Sequence, residues 1–180
     1  MACEIERKFL LRDSSWRAAA QPPRRLIQGY FDGSRGFTLR VRDDDGVGKL
    51  TIKGRPIGCS RSEFEYTIPI DDVAAMLTEF CADRIVEKLR YLVEFEGFVW
   101  EVDEYLGANT GLFTAEIELP SEDTEFALPP WLGAEISGIP FYTNAALSRR
   151  PFGLWGKDPG GDPRDGAGQG VPADLPDDRR

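Results

Sequence analysis

Charged and apolar side chains alternate one by one through seven short stretches of this chain. Glu4, Glu6 and Lys8 alternate with Cys3, Ile5 and Phe9. Arg40 and Arg42 flank Val41, and Thr51 and Lys53 flank Ile52. Glu63 and Glu65 flank Phe64, Lys88 and Arg90 flank Leu89, Glu101 and Asp103 flank Val102, and Glu116 and Glu118 flank Ile117. Side chains on a strand point to opposite faces in turn, so each stretch predicts a strand with one charged and one apolar face. One such strand is an ordinary solvated edge. Seven predict a sheet with a charged face across its whole width.

Turn residues divide the pattern. Asp32 to Gly36, Asp43 to Gly46 and Glu96-Gly97 read as hairpin turns, and Gly107 to Gly111 as a further turn. Gly54 to Ser60 reads as a loop. Together with a strand around Arg25 to Phe31, the stretches predict an antiparallel core of about eight strands, mainly β with peripheral helices (α+β). Four helices are expected outside it. One runs from Asp13 or Ser14 to Ala20, and one from Asp71 or Asp72 with Val73, Met76, Leu77 and Phe80 inward. A short one opens at Pro120-Ser121, and the last starts near Thr143 or Asn144 and ends before Pro151.

Composition narrows the chemistry. The chain has 180 residues, 41% hydrophobic and 29% charged, as expected of one soluble domain. From Gly156 on, ten of the last 25 residues are Gly or Pro. The division expected is a folded domain over 1–155 and a disordered tail over 156–180. No apolar run is long enough for a membrane span, and no signal peptide is evident. The three cysteines, Cys3, Cys59 and Cys81, lack metal spacing and suit free thiols in a cytoplasmic setting. There is no histidine, which excludes Ser-His-Asp and Cys-His catalysis. A metal would be held by carboxylate oxygens, favouring Mg²⁺, Mn²⁺ or Ca²⁺. A net charge of −9 argues against nucleic acid as a partner.

The charged face holds eight carboxylates (Glu4, Glu6, Glu63, Glu65, Glu101, Asp103, Glu116, Glu118) and six cations (Lys8, Arg40, Arg42, Lys53, Lys88, Arg90). If the sheet closes on itself with this face inward, the charges line a cavity, and leaving them unpaired there costs several kcal/mol each. The cations suit phosphates, with the arginines able to grip them bidentately. The carboxylates repel phosphate unless divalent cations lie between. A metal-bound polyphosphate satisfies both sets.

Glu4-Ile5-Glu6-Arg7-Lys8 resembles the ExExK signature of the CYTH family, the triphosphate tunnel metalloenzymes. Over residues 2 to 152 the resemblance takes in Arg40/Arg42, Lys53, Glu63/Glu65, Lys88/Arg90, Asp103, Glu116/Glu118 and Tyr142 to Leu147. It implies an eight-stranded antiparallel β-barrel, the triphosphate tunnel, that binds triphosphates with one or two Mg²⁺ or Mn²⁺ ions. Glu4, Glu6, Glu63, Glu65, Asp103, Glu116 and Glu118 would hold metal. Lys8, Arg40, Arg42, Lys53, Lys88 and Arg90 would bind phosphates. Lys8, Glu4, Glu6 and Tyr30 form the catalytic set, with a packing or hydrogen-bonding role equally open for Tyr30, which shares a strand face with Gln28, and Glu101 fits a rim or structural role.

The expected reaction is metal-dependent hydrolysis of inorganic triphosphate to pyrophosphate and phosphate. Other triphosphates stay open: a thiamine or nucleoside triphosphatase, or a class IV-like adenylate cyclase. So does a non-catalytic sensor of polyphosphate or nucleotides, although anion binding alone does not need this many carboxylates. The partner is inorganic triphosphate or an organic one, with the chain a monomer or homodimer.

Overall fold

The computed structural model describes residues 5–31, 36–55 and 62–156. Glu4, Cys3 and Cys59 lie outside the described residues, and so does the tail from Lys157 on. All eight expected strands form: β1 (Ile5–Leu11), β2 (Arg24–Tyr30), β3 (Phe37–Asp44), β4 (Val47–Gly54), β5 (Glu63–Ile68), β6 (Ile85–Phe95), β7 (Phe98–Tyr105) and β8 (Phe113–Leu119). A ninth, β9 (Leu132–Glu135), adds to the outer edge of β1. The order is β5-β4-β3-β2-β6-β7-β8-β1-β9, and every pairing is antiparallel.

Among the described residues nine strands stand where eight were expected, and their sheet is open rather than closed into a barrel: β5 and β9 are its two ends. The reason is local, since β9 occupies the side of β1 that a closing strand would need. The sheet nevertheless curls. Laid flat, β1 and β2 would stand four strand spacings apart, ~19 Å. Yet the Lys8 ammonium on β1 acts electrostatically on the Tyr30 phenol on β2.

Register holds the charged face together. Glu6 lies opposite Glu118 and Lys8 opposite Glu116. Glu101 faces Glu116, and Arg90 faces Asp103. Arg24 and Leu26 face Arg90 and Lys88, while Gln28 and Tyr30 face Arg42 and Arg40. Arg40 faces Thr51, which faces Glu65, and Lys53 faces Glu63. Tight hairpins set this register. At β3–β4 and β6–β7 the two turn residues, Asp45-Gly46 and Glu96-Gly97, all have positive φ (51°, 89°, 47° and 81°), the geometry that matches strand twist.

The opposite face is covered by two apolar layers. Helix α1 (Ile70–Phe80) lays Val73, Met76 and Leu77 against Val41 and Leu50. It begins at Ile70, so Asp71 and Asp72 fall in its first turn, where they complement the helix dipole rather than cap it. The following Cys81 packs so closely on β2 that a Cβ at Gly29 would lie 2.5 Å from its Cβ. Under β1, β7 and β8, Trp16, Trp100, Trp131 and Phe9 form the largest apolar cluster. Trp100 and Trp131 meet edge-on at 5.7 Å, so these tryptophans are core residues. The expected helix at Pro120-Ser121 is absent. Ser121 and Thr124 instead bond to each other in a turn, and an irregular segment carries Phe126 and Trp131 onto the core.

Helix α2 (Asn144–Arg149), capped by the Thr143 hydroxyl, is not an outer helix. Its Leu147 is buried with Leu10, Val86, Tyr105, Leu112 and Tyr142. Leu10, Val86 and Tyr105 continue the charged face along β1, β6 and β7, so α2 fills one end of the groove that the face lines. Among the described residues no helix is long and apolar enough to cross a membrane.

Candidate active site

The groove is organised by ion pairs between strands. On β1, the Lys8 ammonium lies 2.7 Å from Glu116 Oε1 on β8 and donates to the Tyr142 carbonyl at 3.0 Å. On β6 and β7, Arg90 grips Asp103 with two bonds of 2.7 Å, and Lys88 binds the same carboxylate. Arg90 also pairs with Glu101 and reaches Glu116 at 3.4 Å. Lys88 and Asp103 are wholly buried.

The other wall comes from β2 to β5. Arg42 Nε donates to Gln28 Oε1 at 3.1 Å, and Gln28 Nε2 donates to the Tyr30 hydroxyl at 2.8 Å. Arg40 donates to Thr51 Oγ1 at 2.9 Å and lies 3.5 Å from Glu65. Lys49 pairs with Glu65 at 3.1 Å, and Lys53 with Glu63 at 2.7 Å. Arg40 Nε is buried with no hydrogen-bond partner.

Burial and neighbouring charge compete at each group. Burial lowers the Lys8 ammonium, but Tyr105 and Glu116 outweigh it and hold the group above the ordinary lysine range. Burial raises the Asp103 carboxyl, but Arg90 and Lys88 outweigh it and keep it well below the usual carboxylate range. Burial and the Arg90 charge push Lys88 down to about 8. Burial, then Arg40 and Arg90, push Arg42 down to about 10. Burial raises the Tyr30 phenol in spite of Arg40, Arg42 and Lys8, so it stays protonated at neutral pH.

Glu116 is raised by burial and lowered more strongly by its cations, Lys8 foremost. A carboxylate depressed in the folded state contributes stability above its unfolded pKa of ~4.3, and loses it as pH falls below that. The melting temperature should therefore drop steeply on acidification below about pH 4.5. The slope should be shallower in Glu116→Gln, and thermal melts across pH 3 to 6 check it.

Of the expected site residues, all that are described share this face. They do not form one cluster. Glu6, Glu116 and Glu118 lie at the β1–β8 pair, and Glu63 and Glu65 lie on β5, the far end of the strand order. Both Asp103 oxygens are engaged by Lys88 and Arg90. Among the described residues, no three carboxylate or thiol groups converge as a ready-made metal site. The β1–β8 pair brings Glu6 directly opposite Glu118, and carboxylate oxygens brought together in this way are the donors that a hard divalent ion takes.

Charge counting along the strands missed Gln28, Lys49 and Asp44, and it placed Thr51 on the charged face without a role. Gln28 and Thr51 are uncharged, yet both are fully buried on the groove face and hold arginines. Their signal was present in the alternation itself, since each falls two residues from a site residue. Glu101, read as a rim residue, is partly exposed and pairs with Arg90.

The curled antiparallel sheet carries a groove lined by both cations and carboxylates, a lining that suits a polyanion. Residues 2–145 match the family model described as the CYTH domain. The chain belongs to the CYTH family. It is 43% identical to an inorganic triphosphatase of Acetivibrio thermocellus over 152 residues, 84% of this chain and 97% of that protein. A second inorganic triphosphatase, from Nitrosomonas europaea, is 34% identical over 149 residues, 81% of this chain and 96% of that one. The crystal structure of the inorganic triphosphatase NE1496 superimposes with a TM-score of 0.61 at 32% identity, covering 82% of this chain and 95% of that one.

Proposed function

We propose that this chain hydrolyses inorganic triphosphate to pyrophosphate and phosphate with the help of a divalent cation. The observation that carries the reading is the register: Lys8, Arg40, Arg42, Lys53, Lys88 and Arg90 lie on one face of a curled sheet with the carboxylates between them. The two similar triphosphatases support the choice of substrate.

Water attacks the terminal phosphorus, the bridging P–O bond breaks, and pyrophosphate leaves with the bond's electron pair. In this reading Lys8, Arg40 and Arg42 neutralise charge on the phosphoryl oxygens as it builds. Arg40 Nε, buried without a partner, suits an anionic oxygen. Glu65 and Thr51 hold Arg40 in place, and Asp103 holds Arg90. Lys88, wholly buried against Asp103, fits a supporting position behind Arg90. Glu6, Glu116 and Glu118, with Glu4 from the preceding stretch, would hold Mg²⁺ or Mn²⁺, which when bound screens the phosphates from the carboxylates and polarises them.

The direct test is phosphate release from inorganic triphosphate, thiamine triphosphate, ATP and pyrophosphate, with Mg²⁺ or Mn²⁺ and with EDTA. Release from inorganic triphosphate, abolished by EDTA and restored by metal, is expected. Full release in EDTA overturns the metal requirement, and faster release from ATP overturns the substrate. Arg40→Ala should raise KM for triphosphate about tenfold or more, since a hydrogen bond to a charged group contributes ~1.5–3 kcal/mol. Initial rates against substrate concentration check it.

A further inference from the structure

We infer that Gln28 is a positioning residue that aims the Tyr30 hydroxyl proton into the groove, where it is donated to a phosphoryl oxygen. The inference deepens the triphosphatase reading and rests on it for the identity of the acceptor.

The argument starts from what each group can do. A guanidinium donates only, so the group that receives the Arg42 Nε–H at 3.1 Å must be the amide oxygen of Gln28. That choice fixes the amide. Its other end, the NH₂, then faces Tyr30 and donates to the phenol oxygen at 2.8 Å. The phenol oxygen therefore accepts from Gln28 and cannot give its own proton back along that line. Gln28 is fully buried on a regular strand between two held partners, so the amide has no room to turn.

The charged groups that act most strongly on the Tyr30 phenol are Arg40, Arg42 and Lys8, all cations and all donors. None accepts a proton. Tyr30 is 6% exposed, on the groove face of β2. Among the described residues the charged groups around the phenol offer its O–H no acceptor, and the polyanion that the same cations attract supplies one. Tyr30 on this account is a hydrogen-bond donor to substrate, not the base that deprotonates water. Gln28 aligns Arg42 and Tyr30 through one amide, which couples a phosphate-binding cation to a neutral donor.

Gln28→Glu reverses the device. A carboxylate still accepts from Arg42, but it also accepts the phenol proton and turns it away from the groove. Its added negative charge weakens anion binding whether or not the phenol is present, and a double-mutant cycle with Tyr30→Phe cancels that contribution.

The experiment uses the full chain and inorganic triphosphate as probe. Binding is measured by calorimetry in EDTA, and kcat and KM by phosphate release with Mg²⁺, for wild type, Gln28→Glu, Tyr30→Phe and the double variant. Gln28→Glu should weaken binding about tenfold more in the wild-type background than in Tyr30→Phe, with kcat following the same pattern. Equal losses in both backgrounds overturn the inference.

Should Gln28→Glu fail to fold by circular dichroism, Gln28→Leu replaces it. Its kcat loss, several-fold, should vanish in Tyr30→Phe, while its KM rise from the loosened Arg42 persists. A kcat loss that persists in Tyr30→Phe overturns the inference. A wild-type chain that binds triphosphate but releases no phosphate overturns hydrolysis alone, because the binding cycle still decides the proton's direction. A wild-type chain that does not bind triphosphate overturns both.

Discussion

Asp103→Ala should lower the free energy of unfolding by about 3–5 kcal/mol, because it strands the buried Lys88 ammonium and takes from Arg90 its two-bonded partner, leaving it Glu101 and Glu116. The carboxylate is wholly buried, with both oxygens bonded to Arg90 and one also to Lys88. Its removal leaves the Lys88 ammonium with no exposure and the Arg90 charge as its near neighbour. Burial and that repulsion already lower Lys88 to about 8, so the variant should shed its proton more readily still. Urea unfolding at pH 7 measures the loss. A change under about 1 kcal/mol would mean that water reaches the pair and replaces the carboxylate. Activity should fall as well, since Arg90 is aimed by this grip. Asp103→Asn, which keeps the shape and one acceptor, should recover part of the stability.

Lys8→Met should lower kcat for triphosphate by about 10²–10³, the usual cost of losing one donor to transition-state charge. Lys8 is fastened on one side to Glu116 and on another to the Tyr142 carbonyl, so its ammonium is fixed before any substrate arrives. It also stands close enough to Tyr30 to act on the phenol. Lys8→Arg should not rescue the rate, because a planar guanidinium does not fit the place of a compact ammonium held between those two oxygens. Steady-state rates on both variants decide it. If Lys8→Met keeps a tenth or more of the wild-type kcat, the reacting phosphate lies elsewhere in the groove.

Much of this site was legible because its signal is local. Whether Glu116 and Glu118 share a face depends only on their spacing within one strand, and the alternation repeats for Arg40/Arg42 and Lys88/Arg90. What the alternation does not carry is which strands meet. The pairing of Arg90 with Asp103 rather than with a phosphate, and of Lys8 with Glu116, follows from hairpin register and curl. That is why residues that look equivalent along the chain differ in the fold. Lys88 is sealed, whereas Glu6 and Glu118 are exposed.

Elements without a pattern were the ones missed. Strand β9 has four residues, one of them Gly133, and too few alternations to announce itself. Helix α2 was readable as a helix from its Thr143 cap, but six residues of mixed polarity do not reveal which layer they join. The apolar set of Leu10, Val86 and Tyr105 at one end of the groove decides that.

The alternation also makes the site behave like a reading frame with two letters, groove and wall. Deleting one residue inside β6, between Val86 and Arg90, would exchange the letters for every position on one side of the cut. Lys88 or Arg90 would then point into the apolar layer and Leu89 into the ionic groove. Substitutions touch one contact at a time, but a frameshift of this kind removes a whole wall. Natural variation in length should accordingly collect at the strand ends, at turns such as Gly107 to Gly111 and in the segment between β8 and β9, where the count of residues carries no phase.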